Sequence, residues 1–159
     1  MKGKPQVLEV LAGALRDELG AVVQYILHAE MCDNWGYKPL GAFTKKRAIE
    51  EMGHAEKLIE RILFLEGSPD LPALPKKVEA GKDVADQFAI DLKAEEEAIA
   101  SYNQGIATCV EASDQGSADL LEANLHDEER HADYLETQLG IIKEIGLANY
   151  LAQQLRAGD

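Results

Sequence analysis

Apolar side chains recur along this chain at alternating spacings of three and four residues, the period of helices packed lengthwise against one another. One seam runs Leu8, Leu11, Leu15, Glu18, Val22, Tyr25, Ala29, Cys32, and a second runs Ala48, Glu51, Ala55, Leu58, Ile62, Leu65. A third reads Phe88, Leu92, Glu95, Ile99, Tyr102, Ile106, Cys109, and a fourth Leu121, Leu125, Glu128, Ala132, Leu135, Leu139, Ile142. Each carries a single glutamate among its apolar positions. Prolines occur only at 5, 39, 69, 72 and 75, so the seams themselves are free of the residue that breaks helix interiors. Breakers at Trp35-Gly36-Tyr37-Lys38-Pro39, Gly67-Ser68-Pro69 and Ser113-Asp114-Gln115-Gly116-Ser117 divide the pattern. The predicted helices are 6–34, 41–66, 83–112, 117–143 and a short one over 147–156, with Leu147, Leu151 and Leu155 on one face. Two tight turns and one long connection, from Gly67 to about Asp83, make an all-α four-helix bundle: two antiparallel hairpins joined by a crossover, plus a short fifth helix.

Composition narrows the class. With 159 residues, the chain has the size of one domain, 1–159, with enough length to bury a core. The formal charge of −13 repels phosphate backbones and anionic membranes, so neither nucleic acid nor membrane is an expected partner. No run approaches a membrane span, and the opening Met1-Lys2-Gly3-Lys4-Pro5 leads into a charged amphipathic segment with no apolar signal core. The expectation is an unexported, cytoplasmic protein. Cys32 and Cys109, far apart and without a Cys-x-x-Cys, exclude a zinc ribbon or rubredoxin-type centre and read as buried thiols.

The seam glutamates carry the chemistry. The midpoint of Glu18 and Glu51 falls on the Trp35 turn, and that of Glu95 and Glu128 lies close to the 113–117 turn. In antiparallel hairpins, each pair therefore sits at one depth. Glu51 and Glu128 each precede a histidine by three positions, His54 and His131, on a neighbouring position of the same helix face. Glu18, Tyr25, Cys32, Glu51 and His54, each advanced by 77 positions, become Glu95, Tyr102, Cys109, Glu128 and His131. Two halves related by a pseudo-twofold axis would gather all six Glu and His side chains around one centre. Four bare carboxylates in a core are strongly disfavoured, and two divalent cations would cancel their charge. Carboxylates with imidazole and no thiolate suit iron or manganese, with zinc also admitted. Tyr25 and Tyr102 read as packed side chains with the hydroxyl bonded to a carboxylate, a redox role being the alternative. His28 and His126 read as surface or packing histidines, and Glu56, Glu96, Glu97 and Glu129 as solvated neighbours.

With these residues in place, the sequence resembles the bacterioferritins across nearly its whole length. The order Glu, Glu-x-x-His, Glu, Glu-x-x-His is that of ferritin-like dimetal bundles. Beyond it, Met1-Lys2-Gly3, Asn34-Trp35-Gly36, the run from Ile59 to Gly67, Asp127-Glu128-Glu129, and Gly146-Leu147-Ala148-Asn149-Tyr150-Leu151 carry the likeness. The resemblance implies a 24-subunit hollow shell that oxidises Fe(II) at a di-iron ferroxidase centre and stores ferric mineral. It implies Glu51 and Glu128 as bridging ligands, Glu18 and His54 completing one iron position, and Glu95 and His131 the other. It further implies a b-type or related haem shared by two subunits, with Met52 as axial ligand, and a ferredoxin-type reductant as partner. Met52 lies on a second apolar stripe, Leu19, Val23 and Ile26 with Ile49, Ile59 and Leu63, which reads as a subunit interface. Lys46 stands where some members carry an inner-surface histidine, so an extra inner iron position is not carried over. Tyr25 and Trp35 match aromatics proposed in the family to feed electrons to the centre. The other classes open to this sequence are a haem-binding electron carrier and a non-storage dimetal oxidase or peroxidase.

Overall fold

The computed structural model describes residues 1–69 and 78–155. Four long helices and one short one follow in order: α1 (Pro5–Asn34), α2 (Lys38–Phe64), α3 (Val84–Glu111), α4 (Gln115–Ile145) and α5 (Leu147–Ala152). No strand occurs among the described residues. Residues 70–77 of the expected connection, with Pro72 and Pro75, lie outside the described residues, as does Arg156, the last residue of the predicted fifth helix.

Local chemistry explains the helix ends. Pro5 and Pro39 sit in the first turns of α1 and α2, where a missing N–H costs nothing; α2 thus begins at Lys38 rather than at 41. Asp114 accepts from the Ser117 amide and starts α4 at Gln115, ahead of the predicted 117. At the C-termini of α1 and α3 the chain turns through positive φ at Gly36 (90°) and Ser113 (56°). There the next amide reaches back to the helix, Tyr37 N to Cys32 O and Asp114 N to Cys109 O, both at 2.9 Å. Gly36 and Ser113 are themselves 77 positions apart, so the repeat extends to the turns. The fifth helix is shorter than predicted: it closes at Ala152 with tight bonds from Gln153 N to Tyr150 O and Gln154 N to Leu151 O. Leu155 lies beyond it, exposed, and the buried anchor is Tyr150, edge-on to Phe88 and donating to Gln138 Oε1 at 2.7 Å.

α1 pairs with α2 and α3 with α4, and the two hairpins meet chiefly through α1 against α3. Two apolar clusters occupy opposite ends of the bundle. One contains Leu11, Leu15, Leu58, Ile62, Tyr102 and Leu121; the other contains Cys32, Leu40, Phe88, Leu135 and Tyr150. Each long helix passes from one cluster to the other through its glutamate, α2 by way of Leu40, so a polar layer lies midway along the bundle. Arg61 ties the end of α2 to the start of α4, donating to Asp114 Oδ1 at 2.6 Å and Ser117 Oγ at 2.9 Å. Leu58 is fully buried within the first cluster. Leu58→Ala should cost about 2–5 kcal/mol of stability, measured by chemical denaturation of the metal-free chain; a loss below about 1 kcal/mol would mean that this end of the bundle repacks.

Candidate metal centre

The polar layer brings together all six side chains singled out by the 77-residue repeat. Glu18, Glu51, His54, Glu95, Glu128 and His131 are each 4% exposed or less. Both histidines turn Nδ1 into the middle of the bundle. His54 Nδ1 lies 3.2 Å from Glu51 Oε2, 3.1 Å from Glu128 Oε1 and 3.5 Å from Glu18 Oε2. His131 Nδ1 lies 3.0 Å from Glu51 Oε1, 3.2 Å from Glu128 Oε2 and 3.5 Å from Glu95 Oε1. Glu51 and Glu128 therefore each turn one oxygen to either imidazole, and the two rings lie nearly parallel, 6.4 Å apart. Glu18 and Glu95 each touch only one half.

Two overlapping donor groups result. Glu18, Glu51, His54 and Glu128 offer one ligand atom each within 4.8 Å of one another, and so do Glu51, Glu95, Glu128 and His131. The atoms turned inward are also those left without hydrogen bonds: both Glu51 oxygens, Glu128 Oε1, and the Nδ1 of His54 and His131. Buried polar atoms of this kind are costly unless something satisfies them, and hard carboxylate oxygens with imidazole nitrogens suit a pair of divalent cations.

The tyrosines cross between the halves. Tyr25 donates to Glu95 Oε1, and Tyr102 donates to Glu18 Oε1 while accepting from Asn124 Nδ2 at 3.1 Å. Each outer carboxylate is held by the tyrosine of the opposite hairpin. Burial disfavours charge on these outer carboxyls and the nearby Glu51 and Glu128 add repulsion, so in the metal-free chain Glu18 is pushed up to about 8 and Glu95 well above its usual range. Burial also disfavours charge on the histidines, but the surrounding carboxylates outweigh it and raise both, His131 to about 11. Glu51 and Glu128 feel burial too, yet the two imidazoles facing each of them hold them below the ordinary carboxylate value. Without metal the layer thus pairs two carboxylates with two imidazoliums and keeps the remaining two carboxyls neutral.

Several residues that the sequence reading left aside matter here. His28, read as a surface or packing histidine, is buried, with Nδ1 3.0 Å from Asp91 Oδ2 and Nε2 facing the Glu79 carbonyl at 2.9 Å. It anchors the start of α3 and the segment before it to α1. His126 is exposed, as are Glu56, Glu96, Glu97 and Glu129. Asp127 and Glu50, each one position before a shared glutamate, face the outer nitrogens of His54 and His131. Their signal was present in the sequence, since 50 and 127 also differ by 77. Met52 is 46% exposed, and Val23, Ile26 and Ile49 of the stripe predicted for an interface are exposed too. A cleft of about 390 Å³ between α1 and α3, lined by Asp17, Gln24, Asp91 and Ala98, reaches Glu18, Glu51, Glu95 and Glu128.

A four-helix bundle carrying paired Glu and Glu-x-x-His donors at its middle is of the ferritin-like class. Residues 8–145 match the family model described as the ferritin-like domain. The chain is 45% identical over 156 residues to the bacterial ferritin of Synechocystis sp., covering 98% of this chain and 99% of that protein. It is 44% identical over 150 residues to the bacterioferritin of Brucella melitensis (94% and 92% covered) and 42% identical over 153 residues to that of Mycobacterium tuberculosis (96% of each). The chain belongs to the bacterioferritins. Among the described residues, no helix is long and apolar enough to cross a membrane.

Proposed function

We propose that this chain is an iron-storage ferroxidase, which binds Fe(II) as substrate in pairs and oxidises it for deposition as ferric mineral inside a hollow shell of 24 copies. The observation that carries the reading is the sharing of Glu51 and Glu128 between two buried donor groups. Glu18 and His54 would complete one iron position, Glu95 and His131 the other. Four carboxylates supply four negative charges against the four positive charges of two ferrous ions, which makes the pair, rather than one ion, the neutral occupant. Pairing also suits the chemistry, because two Fe(II) together release the two electrons that convert O2 and two protons to hydrogen peroxide, or hydrogen peroxide and two protons to water. The protein's part is to place both ions beside shared oxygens; the metals carry the electrons. The cleft between α1 and α3 supports entry of substrate beside the four glutamates. Anaerobic Fe(II) titration followed by oxygen tests the proposal: fast oxidation should saturate at two ions per chain, and saturation at one would remove the paired centre.

The apolar stripe around Met52 supports assembly through dimers. An exposed thioether, with Val23, Ile26 and Ile49 exposed too, fits a haem held between two copies, each contributing its Met52, where the haem would supply electron transfer. A ferredoxin-type protein is the proposed reductant, and the cytoplasm the proposed location. Met52→Leu should abolish the bis-methionine haem absorption spectrum of the reconstituted protein; an unchanged spectrum would place the axial ligand elsewhere.

A further inference from the structure

We propose that Asp127 is a positioning residue that, acting through His54, makes the Glu18–His54 half of the centre the tighter of the two metal positions. The inference rests on the dimetal reading above and adds an inequality that the repeated ligand set does not contain. Glu50 and Asp127 occupy equivalent places in the two halves, yet they meet their histidines differently. Asp127 divides its oxygens: Oδ1 accepts from Arg130, which leaves Oδ2 to accept from His54 Nε2 at 2.9 Å. Glu50 uses one oxygen for both tasks. Its Oε2 accepts from Arg47 at 2.9 Å, and the same atom stands 3.4 Å from His131 Nε2, which is fully buried and makes no hydrogen bond.

The repeat breaks in the residues behind the ligands. The counterpart of Arg130 is Gly53, and the counterpart of Arg47 is Asn124, which serves Tyr102 instead. An outward Nε2–H···carboxylate bond fixes the ring and the tautomer, leaves the Nδ1 lone pair free and makes it more basic toward a cation. His54 has this support, whereas His131 must coordinate from a ring whose outer nitrogen has no partner.

The test is Co(II) titration of the full-length metal-free chain, followed by visible absorption, with nitrogen NMR of the imidazoles. The parent chain should take up two ions in resolved steps, and the His54 resonances should shift in the first step. Asp127→Ala should weaken one step by about 10–100-fold and remove the order of filling. Asp127→Asn retains an acceptor oxygen and should recover most of the loss, which a mere packing defect would not. Glu50→Ala should weaken its own step by a smaller factor than Asp127→Ala weakens the other, because the longer 3.4 Å approach gives His131 less support. Two steps of parent strength in Asp127→Ala, or an equal loss in Glu50→Ala, would overturn the proposal while leaving the dimetal centre standing. Failure of the parent chain to shift either histidine would remove the centre, and this inference with it.

Discussion

Glu51→Ala should lower the rate of fast Fe(II) oxidation by at least about a hundredfold, a larger loss than Glu18→Ala produces. The physical reason is the division of labour among the four carboxylates. Glu51 offers one oxygen to each imidazole and belongs to both donor groups, whereas Glu18 belongs to one. Either substitution leaves three negative charges against four positive, but removing the shared carboxylate also takes a donor from both ions. Removing Glu18 leaves the other half with all its donors. Groups outside the direct ligands already alter metal affinity or activity by about 10–100-fold, which sets the lower bound for a shared ligand. Stopped-flow absorbance at two Fe(II) per chain measures the difference, with circular dichroism to show that the bundle is intact. Parent rates in Glu51→Ala would mean that oxidation occurs elsewhere on the protein, and equal losses in the two variants would mean that Glu51 acts as a ligand to one ion only.

Metal uptake should expel protons, approaching about four for each pair of divalent ions below pH 8. In the metal-free chain, burial keeps Glu18 at about 8 and Glu95 well above the usual carboxyl range, so both hold protons at neutral pH. Burial opposes charge on His54 and His131, but their carboxylate neighbours keep both protonated, His131 up to about 11. Each of these protons occupies a donor that a cation requires. The proton-bearing state is the one that competes, so affinity falls as pH falls, and it rises as pH climbs toward 8. Above pH 8 the slope should flatten, since Glu18 has lost its proton before the metal arrives. Calorimetric titration with Zn(II) in two buffers of different ionisation enthalpy counts the released protons. A count near zero would mean that the six side chains stand already deprotonated and open.

Periodicity and breakers sufficed to read the four long helices, because alternating three and four spacing with prolines confined to ends and connections leaves little choice of local structure. The fifth helix was legible in kind but not in length, since the tight bonds that close it at Ala152 carry no strong sequence signal. The 77-residue repeat determined that two Glu and Glu-x-x-His sets belong to equivalent halves, and turn midpoints placed each pair at one depth. Only tertiary structure decided how the halves interlock. Tyr25 and Tyr102 reach the glutamates of opposite hairpins, Glu51 and Glu128 divide their oxygens between two rings, and His28 is buried against Asp91. These contacts depend on the rotation and spacing of packed helices, which a residue's position in its own helix does not encode. The unequal support behind His54 and His131 is of the same kind: equal spacing in sequence brought Asp127 and Glu50 to matching places, and side-chain length with a neighbouring arginine set what each could reach.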